Sequence, residues 1–76
     1  MGVSYVADVA ANYTTLIDEQ GSVSYVGRAV PSSLTSAPVW QIQRITQTET
    51  SVAVEYANGT DTFNKVWDAR ASLAYS

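Results

Sequence analysis

Residues 39–76 read VWQIQRITQTETSVAVEYANGTDTFNKVWDARASLAYS, and this stretch sets the architecture. Two apolar runs of strand type, 39–47 and 51–57, each carry a large aromatic residue and are joined by a polar, Thr-rich turn. In the first run Trp40, Ile42 and Arg44 alternate with Val39, Gln41, Gln43 and Ile45, the two-residue period of a strand. In the second, Val52, Val54 and Tyr56 are expected to face a core, with Ala53, Glu55 and Ala57 on the other side. Asn58-Gly59 then marks a turn, because both residues tolerate positive φ. Beyond it Phe63, Val66, Trp67 and Arg70 fall at helical spacing, which predicts one helical turn over 63–68 with Asp61 or Thr62 as cap. A short strand over 70–75 is expected to follow.

Toward the N-terminus, 13–19 and 22–30 read as a β-hairpin about the Gln20-Gly21 turn. Gly27 interrupts the second of these strands, which signals a bulge or a close approach of something to the backbone. PSSLTSAP, 31–38, is a loop bracketed by prolines that break any hydrogen-bond ladder. Residues 1–12 alternate weakly and read as an N-terminal arm or edge strand ahead of a single small β domain, 13–76. The fold class is therefore mainly β, a small antiparallel barrel or sandwich of about five short strands with one short helical turn near the C-terminus.

Seventy-six residues make one domain at most. A chain of that size buries only ~60% of the surface its unfolded state exposes, so its stability is thin. Small folds compensate with disulfides, a structural metal or association. The chain has no Cys and no His, which removes a disulfide framework and ordinary zinc sites. Association is the remedy left, and a homo-oligomer or a chain docked on a larger assembly is expected.

Charged residues are only 14% of the chain and the formal net charge is −3, with Ser and Thr supplying most other polarity. Arg28, Arg44, Lys65 and Arg70 are scattered, whereas neutralising a phosphate backbone needs clustered cations, so no nucleic-acid partner is expected. No apolar run approaches the ~20 residues of a membrane span. The first charge is Asp8, so the basic region of a secretory signal is missing and no membrane partner is expected.

The chemistry of catalysis is thin. Asp18 and Glu19 are adjacent, and in a strand they point to opposite faces, so they cannot readily share a proton. Ser and Thr nucleophiles have no His to serve as base. The chain is therefore read as a non-enzyme without cofactors. Asn58, Thr60, Asp61, Asn64 and Asp68 offer oxygen ligands, but they lack the spacing and terminal Glu of a calcium loop and are better explained as turn and cap residues.

Tyr25, Val39, Trp40, Ile42, Val54, Tyr56, Phe63 and Trp67 are the expected core. Val3, Tyr5 and Val6 in the arm, with Pro31, Leu34 and Pro38 in the loop, are the expected contacts to neighbouring chains. Arg44 shares the Trp40-Ile42 face and needs a partner there, with Glu55 or Asp68 the candidates for a buried ion pair. The aromatic residues also admit a second reading, a small carbohydrate-binding module with an exposed aromatic platform.

GRAVPSSLTSAPVWQIQRI, then YANG, then FNKVWDARASLAYS, within residues 24–76, resembles small virion structural proteins of tailed bacteriophages. The most specific elements are WQIQRI at 40–45 and FNKVWD at 63–68 with its RASL continuation. Many members carry a Trp-Ala-Asp-Gly turn where this chain has Tyr56-Ala57-Asn58-Gly59. The resemblance implies an accessory capsid decoration or cement protein, or a head-appendage component at the neck, tail or fibre base. Its partners would be other virion proteins, such as the major capsid protein or tail and fibre proteins. Such a protein is made in the host cytoplasm and resides in the virion.

Overall fold

The computed structural model describes residues 12–76. The chain runs through β1 (Thr14–Gln20), β2 (Val23–Ala29), β3 (Pro38–Gln47), β4 (Val52–Tyr56) and β5 (Lys65–Val66), then a 3-10 helix (Trp67–Ser72). All pairings are antiparallel, in the order β1-β2-β3-β4, with β5 joined to the N-terminal end of β3. The mainly β fold class holds. The sheet is open, however, because β1 and β4 lie at opposite edges and do not pair, so the word barrel or sandwich fits it only loosely.

Turn chemistry explains the connections. Gln20 pairs with Val23, leaving a two-residue loop in which Gly21 takes φ 67°. Asn58 and Gly59 take φ 55° and 68°, the left-handed conformation this dipeptide tolerates best. Between β2 and β3, Ser33 and Ala37 close two tight turns on the carbonyls of Val30 and Leu34. Thr35 O then accepts from the Asp68 N–H, which pins the loop to the 3-10 helix.

The core lies on one face of the sheet. Ala29, Trp40, Ile42, Ala57 and Trp67 are buried, and Leu16, Tyr25, Leu73 and Tyr75 pack around them. Trp40 and Trp67 meet with ring centroids 5.9 Å apart, and the Trp40 indole N–H donates to Leu34 O at 3.0 Å. Gly27 faces Ile42 across the strands and leaves room for both indoles. No bulge occurs there; the glycine serves the close approach.

Three expected core residues are exposed. Val39 sits at an irregularity in the β3–β5 register, between Pro38 opposite Val66 and Trp40 opposite Lys65, and points away from the face that Trp40 buries. Val54 is 52% exposed because Glu55, opposite Arg44, places Ala53, Glu55 and Ala57 on the core side of β4 instead. Phe63 lies in the loop before β5, where its ring stacks on Tyr13 outside the core. Tyr25 is half-buried against the core, whereas Tyr56, also half-buried, is opposite Gln43 and so lies on the other face of the sheet rather than in the core.

The helical turn also differs from expectation. Lys65 and Val66 are strand residues paired with Trp40 and Pro38, so the helix begins only at Trp67. Its N-cap is Val66, without a side-chain cap, and neither Asp61 nor Thr62 fills that role. The expected last strand over 70–75 is reduced to a single bridge between Ala57 and Tyr75.

Candidate functional site: an open sheet face and the rim of the covered one

Strand alternation gives the sheet two unlike faces. The 3-10 helix and the residues after it cover the first. The second carries Ile17, Val26, Ile45, Val52, Val54 and Tyr56, with Glu19, Ser24, Gln43 and Gln47 between them. Register places Ile17 beside Val26 and Ile45 beside Val54, so the apolar side chains form a diagonal band across four strands. Ile17 is 63% exposed and Val52 58%.

Among the described residues this second face is closed only at one end. There Gln41 is buried; its amide donates to Asp61 O at 2.9 Å, and its carbonyl oxygen accepts from Arg28 Nε and Nη2 at 3.2 and 2.9 Å. The Arg28 guanidinium also lies over the Tyr13 ring. Nearby, Lys65 is buried and donates to Thr62 Oγ1 and Asn64 Oδ1. These contacts spend the loop's polar groups on internal bonds.

On the covered face, Arg44 Nη2 donates to Glu55 Oε1 at 2.8 Å, as the strand pairing predicts. The pair is not buried: both side chains are 33% exposed. Asp68 is exposed and takes no part. Glu55 keeps the Arg44 guanidinium more firmly protonated, and the Tyr75 ring lies 4.9 Å beneath it. Arg44 Nε is buried without a hydrogen-bond partner among the described residues.

A second ion pair was hidden from the sequence. Arg70 Nε donates to Asp18 Oδ2 at 2.9 Å, while Arg70 Nη1 donates to Trp67 O and the guanidinium lies 4.5 Å over the Trp67 ring. Hydrogen bonds from the Gln20 amide and from Arg70 hold the Asp18 carboxyl below its ordinary range. Beside this pair opens a cleft of about 480 Å³ lined by Asp18, Tyr25, Asp68 and Arg70, among others. No signal in the sequence joins positions 18 and 70; the helix returns across the sheet, and the Arg70 side chain reaches from it to Asp18 on β1.

Of the expected interface residues, Pro31, Leu34 and Pro38 are exposed. Val3, Tyr5 and Val6 lie outside the described residues. Trp40 and Trp67 are buried against each other and so offer no exposed platform. No group of three metal-ligating side chains occurs among the described residues, and no helix among them is long and apolar enough to cross a membrane. No family model, no curated protein and no solved structure matches this chain.

Proposed function

We propose that this chain is a non-enzymatic structural component of a tailed-phage virion, an accessory capsid decoration or cement protein or a head-appendage component, acting through protein–protein contacts. The observation that carries the reading is the apolar band on the open sheet face, from Ile17 across to Val52 and Val54. An unlike pair of faces is what a sheet needs if one side makes its own core and the other is covered by another chain. Covering these half-exposed side chains is worth about 1 kcal/mol each, a few kcal/mol for the face. Association itself costs ~4 kcal/mol or more, so one such contact is marginal alone. Many copies on a symmetric shell turn marginal contacts into stable attachment.

The test is quantitative mass spectrometry of purified particles, with copies of the chain counted against the major capsid protein. Copy numbers comparable to the capsid protein support decoration or cement, and a small fixed number supports the neck, tail or fibre base. Absence from particles overturns the reading.

The cleft beside Arg70 favours a second reading, a small carbohydrate-binding module. Its polar lining of Asp18, Asp68 and Arg70 next to Tyr25 suits hydroxyl groups. Because Arg70 lies on Trp67, a glycan bound there would alter the Trp fluorescence. Unchanged fluorescence across a glycan panel overturns this second reading.

A further inference from the structure

We propose that β4 pairs edge to edge with β4 of a second copy, antiparallel and centred on Ala53, to give a two-fold dimer with one continuous sheet. This inference concerns the strand edge and stands apart from the open-face reading, so either can fail without the other.

Backbone orientation identifies the edge. The Ala57 N–H donates to Ile42 O on β3, and the Ser51 carbonyl accepts from the Thr48 N–H. By strand alternation, Ala53 and Glu55 also turn their backbone groups toward β3. Val52, Val54 and Tyr56 therefore turn theirs outward. Tyr56 exchanges both of its bonds with Ser76 at 3.2 Å. The N–H and C=O of Val52 and Val54 have no partner among the described residues.

Those four groups are self-complementary. In an antiparallel pair centred on Ala53, Val52 of one copy faces Val54 of the other, and each pair exchanges two hydrogen bonds. The hairpin loop, 48–51, bends toward its own β3, so it leaves the Tyr56–Ser76 bridge of the other copy undisturbed. Exposed strand edges are ordinarily blunted by charge, proline or a bulge. The β1 edge is blunted in this way by Glu19, which would repel a second copy, while Asp18 is held by Arg70. Along β4 the residues are Val52, Ala53, Val54, Glu55 and Tyr56, and the only charge is already held by Arg44. Among the described residues nothing along Val52–Val54 opposes a second copy. Pairing there also joins the two apolar bands through Val52 and Val54.

The chain has no native cysteine, so Ala53→Cys reports cleanly. Residues directly opposite in a non-hydrogen-bonded pair have Cβ atoms about 4.5 Å apart, close to the ~3.8 Å of a disulfide. Under mild oxidation Ala53→Cys should form a covalent dimer about tenfold faster than Thr15→Cys on the β1 edge, as expected for opposed against unopposed thiols. Wild type should sediment as a dimer whose mass falls to 8.2 kDa in Val54→Pro, with the far-ultraviolet spectrum kept, because that N–H has no bond to lose among the described residues. Equal cross-linking at positions 53 and 15 overturns the proposal, whether or not Val54→Pro folds. So does a wild-type monomer at every concentration, or a dimer lost on deleting residues 1–11, which would assign the edge to that segment.

Discussion

Trp67 packs directly against the backbone of Gly27: a methyl group there would lie 2.6 Å from Trp67 Cζ3 and 3.2 Å from Trp40 Cε3. The glycine is a steric requirement of the indole pair. Gly27→Ala should therefore lift Trp67 off the sheet and cost about 1–3 kcal/mol, the ordinary penalty of overpacking. Urea denaturation measures the loss, and a red shift of the Trp emission in the folded state shows that the indole has moved into water.

The indoles dominate a small core. Replacing a buried Trp by Ala costs about 3–5 kcal/mol. At ~0.05–0.15 kcal/mol per residue, a chain of this length has only about 4–11 kcal/mol in total. Trp40→Ala and Trp67→Ala should each leave much of the chain unfolded at room temperature, as circular dichroism will register. Phe63→Ala, at the exposed Tyr13 stack, should cost about 1 kcal/mol.

The β character of the chain and its turns at Gly21 and Asn58-Gly59 were legible in the sequence, because each rests on local backbone chemistry; Gly27 was legible as a bulge or a close approach, and the indoles across the sheet decide for the second. The buried face of β4 was not. Val54 and Ala53 are adjacent, and alternation alone cannot say which one faces inward; the Arg44–Glu55 register settles it. Val39 and Trp40 are likewise neighbours, so both could not share one face of a regular strand. The helix start depended on Lys65 and Val66 finding Pro38 and Trp40, a contact no local spacing encodes. The Asp18–Arg70 pair spans 52 positions and was out of reach for the same reason.

The Arg44–Glu55 pair is half-exposed, so its coupling should be small. A double-mutant cycle over Arg44→Ala and Glu55→Ala should return under about 1 kcal/mol, the ordinary value for exposed pairs. Arg44→Met should be better tolerated than Arg44→Ala, because it keeps the packing of the side-chain stem while removing the unpartnered Nε.

Stability should fall at both ends of the pH scale. Asp18 is held below its unfolded value of 3.8, so its contribution is present above that pH and is lost as pH drops through the folded value. Asp18→Asn should flatten this acid limb of a denaturation-midpoint profile. Burial, then the neighbouring Tyr25, pushes the Tyr75 hydroxyl up from 10.0 to about 12, where it donates to Arg70 O at 2.7 Å. A raised value contributes stability below pH 10 and loses it as pH climbs through about 12. Tyr75→Phe should flatten the alkaline limb and cost about 1 kcal/mol for the lost hydrogen bond.

One side of this sheet is closed within the chain, and our account holds that the other is closed by a different protein. Carbene footprinting read by mass spectrometry examines that statement at the residues concerned, first in the free chain and then in purified particles. Ile17 and Val26 should label in the free chain and be protected in the particle, while Leu73, on the face the chain covers itself, should label equally in both. Equal labelling of Ile17 and Val26 in the two states would contradict the account.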